Sequence, residues 1–362
     1  MRQWFARCAL ALGAAILAAP SIPALAQEDD LAFILDVLEN DYAGWETKTE
    51  GDRMAAFEER VAKTRERLAA NPEARMWAYG ALLDWFEDDH LGVRSNIVSP
   101  DNPWPDAFAP DREYAFVPEP GEEFAFTRLS ADTVMLRVPT FHRDYLEPFE
   151  ALLAEHHDAI TSTPNLLIDL RGNTGGSDAT YEKLMGYLYT RPIYGISPEV
   201  RITPRNIAYL QELASGGELD EETQAWVEDI LARAAVSDDG WVAMMAEGVL
   251  IETYPQVYDF PRRVGILTEG AGSSGDQFVI DARFSRKVTL LGAPTAGVID
   301  YSNMVSADAP SGDFAIYWPM TRSMRLPEEP FDNVGVPVDV PYPEDVADQV
   351  AWAQDWLERQ VD

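Results

Sequence analysis

A chain of 362 residues, 46% of them apolar, is long enough for one large domain or two ordinary ones and can bury a substantial core, which excludes an intrinsically disordered protein. Its formal charge of −34 repels nucleic acid and anionic lipid surfaces and favours solubility. One cysteine and four scattered histidines make no metal-ligand cluster, and no cofactor is implied.

The chain opens with Arg2 and Arg7, an apolar run of about a dozen residues, and Ala-Leu-Ala before Gln27, which is the layout of a cleaved secretory signal over residues 1–26. The run is shorter than the roughly 20 apolar residues a transmembrane helix needs, and no later segment reads as a span. Cleavage after Ala26 removes Cys8, so the exported chain has no thiol for disulfides or nucleophilic chemistry. It also removes Arg2 and Arg7 and no acid, which takes the charge from −34 to −36. A periplasmic or secreted protein is expected.

Leu31, Ile34, Leu35 and Leu38 fall at helical spacing, and helical stretches follow at 53–70 and 73–86, giving a helical N-terminal region over 27–97. A connection rich in proline, with Pro100, Pro103, Pro105, Pro110, Pro118 and Pro120, spans 98–132. Beyond it strands alternate with helices over 133–345. Thr133–Val138 reads as a strand. Asn165–Leu170 reads as a second, followed by RGNTGGSD and a helix from Thr180 to Tyr189. Val264–Leu267 leads into AGSSGD and a helix from Gln277 to Phe284, then a strand at Val288–Leu291. Strand, glycine loop and helix thus occur twice, which predicts an α/β core with largely parallel strands. Residues 204–253 are helical and acidic and read as an insertion, either a lid or a solvated helical pair. A C-terminal helix is expected from Glu344 to Arg359, most of it within the closing segment 346–362.

The glycine loops are where chemistry could sit. A loop entering a helix N-terminus presents unpaired amides and the positive end of the helix dipole, which stabilise an oxyanion. The stretch AGSSGDQF, Ala271–Phe278, places two serines there. From the residues alone two readings stand. Ser273 or Ser274 caps the helix, with Asp276 favouring its dipole, or one serine attacks a carbonyl while neighbouring amides hold the developing charge. Neither serine fits the G-x-S-x-G elbow of α/β-hydrolases. A nucleophilic serine needs a base. His156 and His157 lie in the acidic helical stretch LLAEHHDAI and read as surface residues, whereas His90 lies in WFEDDHLG, just past a helix, among acids that could orient its ring. A solvated or capping histidine is the alternative reading.

Together these segments resemble the S41 peptidases, the tail-specific or C-terminal processing proteases, and especially the branch that includes the tricorn protease core. IDLRGNTGG at 168–176 is similar to that family's strand and glycine loop, AGSSGDQF to its nucleophile loop, LLGAPTAG at 290–297 to the strand and turn after the nucleophile helix, and DNVGVPVDV at 332–340 to its late Glu-Asn-x-Gly-Val-x-Pro-Asp segment. The resemblance covers about 30–345. It implies a crotonase/ClpP-like β-β-α core under a helical N-terminal region, a peptide or protein substrate, Ser273 as nucleophile with Asp276 three residues on, and His90 as base. The lysine of the family's Ser/Lys branch has no counterpart, because Val298 stands at its position. Asp332 occupies the place of the glutamate that supports the histidine, and Asp89 stands before His90 where the branch has serine, so Asp89 or Glu87 could assist instead. Amides of Ser274 and of Gly175 or Gly176 are expected to form the oxyanion hole. Leu91–Asp132 is too short for the family's PDZ module. Two other readings stay open: a catalytically silent relative that binds a peptide or apolar ligand, and an acyl-transfer or thioester enzyme, for which a charge of −36 makes coenzyme A a poor ligand.

Overall fold

The computed structural model describes residues 24–96, 123–217 and 219–360. Most of the signal segment and most of the proline-rich connection lie outside the described residues. Three helices lead the chain: α1 (Ala24–Asn40), the single turn α2 (Trp45–Lys48) and α3 (Arg53–Ala70), followed by α4 (Arg75–Leu83). Their apolar faces, among them Ile34, Leu38, Phe57, Val61 and Leu82, are fully or almost fully buried. A short 3-10 turn, Asp84–Phe86, then ends at Glu87 in the left-handed conformation (φ 52°) and turns the chain into β1 (Gly92–Ser95).

The region assigned to the connection is not wholly irregular: it contains β2 (Ala125–Arg128), antiparallel to β3 (Thr133–Arg137). After α5 (Leu146–Glu155) and α6 (His157–Ile160) come β4 (Asn165–Asp169) and α7 (Asp178–Leu188). A two-stranded ribbon pairs β5 (Ile193–Ile196) with a later strand, and β6 (Pro198–Arg201) joins a separate sheet. The stretch 204–253 is only partly helical. It forms α8 (Pro204–Ser215) and α9 (Glu221–Ala234), then β7 (Trp241–Ala243) and β8 (Val249–Glu252), the partner of β5. β9 (Arg263–Thr268), α10 (Ser274–Ala282) and β10 (Val288–Gly292) follow, then β11 (Tyr301–Asp308), β12 (Phe314–Ser323), β13 (Val340–Pro341) and α11 (Gln349–Arg359).

Two sheets organise the molecule. One runs β13-β10-β9-β4-β3-β2, parallel except for β2 at its edge. Its central strand β4 is buried at every residue, as a parallel strand covered on both faces must be. One face packs against α5, α7 and α10 through residues such as Phe149, Leu184 and Phe278, and the other carries Leu167, Leu267 and Leu291 against Ala353 and Leu357 of α11. The second sheet is antiparallel, in the order β1-β12-β6-β7 with β11 also paired to β12.

The helical pair α8–α9 packs one face into the core rather than standing in solvent on all sides. Leu210, Trp226, Val227 and Ile230 share one apolar core with Ile34, Leu38 and Tyr42 of the N-terminal region and with Ile316 and Trp318 of β12. Fully buried Asn206 fastens it: its Nδ2 donates to the carbonyls of Asp41 and Arg201, and its Oδ1 accepts from Trp318 Nε1 at 3.0 Å. Every polar atom of that side chain is used, so burial costs little. The acidic, amphipathic pattern of these helices concealed an inner face that is largely apolar, with Asn206 and Thr223 the polar residues buried in it.

Candidate active site

β4 and β9 are parallel neighbours, and the loops leaving their carboxyl ends continue side by side: Leu170 N donates to Leu267 O, Gly172 N to Glu269 O and Gly272 N to Asn173 O. Ligands collect at such strand ends in parallel sheets. The two loops open into α7 and α10, so two helix N-termini meet there.

Ser273 is the N-cap of α10 and sits at φ 57°, ψ −117°, a backbone conformation that a residue with a side chain rarely adopts. Its side chain caps nothing. Capping is done from the other direction, by Asp276, which accepts from the amide of Ser273 and also from the amides of Gly297 and Val298 at 3.0 Å. Burial pushes this carboxyl above its ordinary value, opposed by those hydrogen bonds and one from Thr295. Asp276 thereby ties the nucleophile loop to the Thr-x-Gly turn, where Val298 contributes its amide.

Ser273 Oγ, left free of the cap, lies 3.1 Å from Nε2 of His90. His90 is almost buried, and its Nδ1 lies 2.6 Å from the carbonyl oxygen of Tyr301, the first residue of β11. A carbonyl oxygen only accepts, so Nδ1 carries the proton and Nε2 presents its lone pair to the serine hydroxyl.

The carboxylates behind this pair are arranged differently from the sequence expectation. Asp332 does not orient the ring directly. Its Oδ1 accepts the amides of Ile299 and Asp300, at 3.0 and 2.8 Å, and Oδ2 of Asp300 accepts the amides of Phe331 and Asp332 in return. The effect is to fix the strand entry from which Tyr301 offers its carbonyl to His90. A shorter side chain at the glutamate position holds the nearest backbone through Oδ1 and turns Oδ2 toward Lys48 at 3.5 Å. Glu87 and Asp89 have exposed side chains. Asp88 between them is the buried acid: its Oδ1 accepts the amide of His90 at 3.0 Å and its Oδ2 the hydroxyl of Tyr42 at 2.7 Å. Burial holds the carboxyls of Asp88 and Asp332 above the usual range; the charge of Asp88 raises Asp332 further, while Lys48 opposes the rise in both and His90 opposes it in Asp88.

The two candidate glycines divide. The amide of Gly175 is occupied, donating to Oδ1 of Asn173 at 2.8 Å, so it is not an oxyanion donor. Its role is spatial: a Cβ there would lie 2.6 Å from Gly272 O and 2.7 Å from Ser273 Cβ, at φ 77°. Gly176 sits in a parallel bridge with Phe141 in which Gly175 O and Ser177 N make the bonds, which turns the Gly176 amide to the other side. Gly176, Ser273, Ser274 and His90 line one cleft of about 230 Å³, whose apolar walls include Ile196, Tyr209, Met245, Leu250, Met304 and Met320. A wider hollow of about 520 Å³ between α5 and α7 is lined by none of these site residues. His156 and His157 are engaged elsewhere and are not simple surface residues: His156 stacks on Phe126 and His157 Nδ1 lies 3.0 Å from Tyr187 Oη.

No helix among the described residues is long and apolar enough to cross a membrane. Among curated proteins none matches the chain. Solved structures match its fold across nearly its whole length. Mature CPAF is 12% identical with a TM-score of 0.64, covering 93% of this chain and 97% of that one, and it has also been solved in complex with lactacystin. A putative peptidase from Parabacteroides merdae is 13% identical, with a TM-score of 0.58 over 93% of this chain and 99% of that one. The family model of peptidase family S41 matches residues 132–342, more than half of the chain. His90, Asp88 and Lys48 precede that span, whereas Ser273, both glycine loops and Asp332 lie inside it. The chain belongs to peptidase family S41, and is thus a serine-type peptidase by family.

Proposed function

We propose that the protein is an exported peptidase in which Ser273 attacks the carbonyl carbon of a peptide bond as His90 takes its proton. The new Oγ–C bond leaves the carbonyl oxygen charged, held by the amides of Ser274 and Gly176. Collapse breaks the C–N bond, and His90 returns the proton to the departing amine. Water then attacks the acyl-serine with His90 again as base, releasing the carboxylate product and restoring the hydroxyl.

The observation that carries this reading is the relay of Ser273 Oγ, His90 Nε2 and, through Nδ1, the Tyr301 carbonyl. Two helix N-termini beside the hydroxyl favour a developing anion. The run of parallel strands with α7 and α10 on one face supports reading the core as crotonase/ClpP-like, and the features of residues 1–26 support exported proteins or peptides as substrates.

Adduct mapping after exposure of the purified protein to a fluorophosphonate tests it. An adduct on Ser273, absent in Ser273→Ala and retained in Ser274→Ala, is expected, because Ser274 acts through its backbone. Lactacystin, bound by mature CPAF, serves as a competitor. A well-folded wild type with no adduct would favour a silent binding protein.

A further inference from the structure

Lys48 belongs to the single turn α2, far from the glycine loops in sequence and outside the span that matches the family. Its side chain is 14% exposed. Nζ donates to the carbonyl oxygen of Glu87 at 3.0 Å, lies 3.5 Å from Oδ2 of Asp332, and stands 5.1 Å from the centre of the Tyr301 ring. Glu87 O also accepts from Nδ2 of Asn333 at 2.8 Å. One ammonium group therefore touches the turn that delivers His90, the carboxylate that fixes the entry to β11, and the residue whose carbonyl holds the imidazole.

We propose that Lys48 is a positioning residue for His90, bracing the turn that delivers the imidazole and placing a positive charge against the two carboxyl groups behind it, Asp88 and Asp332, so that they do not draw a proton onto the ring. The inference rests on the peptidase reading above. Among the described residues, the charged and titratable groups gathered around His90 and its supports are Asp88 from its own turn, Asp332 from the loop before β13, Lys48 and Tyr42 from the N-terminal region, and Tyr301 and Asp300 at the entry to β11. Lys48 is the cation among them. Without it, the carboxylates favour the imidazolium, and an imidazolium cannot accept the serine proton. A long, flexible side chain held at three points is also a restraint on the His90 turn, in addition to the bond from Asn333 and the ring itself.

The rate of fluorophosphonate labelling at Ser273, followed against pH, reads this directly. In Lys48→Met the rate at neutral pH should fall about tenfold, with the acid limb of the profile moved to higher pH by about one unit. Lys48→Arg should keep the limb in place. The double variant Lys48→Met/Asp332→Asn, which also removes one carboxylate, should bring it back toward the wild-type position. A role confined to folding would lower rates without moving the limb, so an unmoved limb in Lys48→Met overturns the proposal. Should that variant fail to fold, Asp332→Asn is compared with the double variant: the limb of Asp332→Asn should lie at lower pH, and coincident limbs overturn the proposal. An unlabelled wild type would overturn the peptidase reading and this inference with it, whereas a labelled wild type with unmoved limbs would overturn this inference alone.

Discussion

Nδ1 of His90 lies 2.6 Å from the carbonyl oxygen of Tyr301, so the tautomer of the base is set by backbone. No carboxylate bonds the ring: Asp88 accepts the backbone amide of His90, and Asp332 acts at one remove, through the amides of Ile299 and Asp300 that it holds. Both bonds fall on Oδ1, an atom an asparagine retains. Asp332→Asn should therefore lower the labelling rate of Ser273 by only about tenfold, far less than the roughly 10⁴-fold loss seen when an acid bonded directly to the base is neutralised in a serine triad. Asp332→Ala, which frees both amides, should cost clearly more. Equal losses in the two variants would show that the charge rather than the acceptor matters.

Gly175 is required by the closeness of the two loops. A methyl group at its Cα would meet Gly272 O and Ser273 Cβ at under 3 Å, with φ at 77°. Gly175→Ala should reduce labelling about 10²-fold by displacing the hydroxyl from His90, while far-ultraviolet circular dichroism stays that of the wild type. Near-normal labelling would mean that the loop yields without moving the nucleophile.

The α8–α9 pair is part of the core, and Asn206 is its anchor. Asn206→Ala leaves the Trp318 indole N–H and the carbonyls of Asp41 and Arg201 without their partner. It should destabilise the protein by about 2–4 kcal/mol in denaturant unfolding. A loss below about 1 kcal/mol would indicate that the pair is loosely attached after all.

Much of this was legible in the chain. The alternation of apolar runs with RGNTGG and AGSSGD located β4, β9 and the helices that follow, because parallel strands are read as unbroken apolar segments and their loops as glycine clusters. Ser273 and His90, 183 residues apart, are brought within hydrogen-bond distance. The supporting groups were not legible. Asp88 stands among Glu87, Asp89 and other acids, and only the left-handed turn at Glu87 decides which of them faces inward. Tyr301 acts through a carbonyl, which no side-chain pattern announces. Lys48 looks like any lysine closing a short helix, since its burial comes from contacts with Glu87 and Asp332 far along the chain. The choice between Gly175 and Gly176 rests on which way one peptide faces.

The buried carboxyl of Asp332 also sets a sign for stability. Its value in the folded protein is raised, by burial first and by Asp88 next. The folded state therefore holds that proton more tightly than the unfolded one. The stability it contributes is fully present below the ordinary carboxyl value and is lost as pH rises through the raised one. Relative to wild type, Asp332→Asn should gain in thermal midpoint as pH rises above about 4, the ordinary carboxyl value. A difference that moves the other way would contradict the assignment.

Activation of Ser273 by His90 is read most directly from the second-order rate of fluorophosphonate labelling at Ser273 in the wild type and in His90→Ala. The wild type should be labelled, and a folded His90→Ala protein should be labelled more slowly by several orders of magnitude, about 10³ or more. Labelling of His90→Ala at close to the wild-type rate would contradict the claim that His90 activates Ser273.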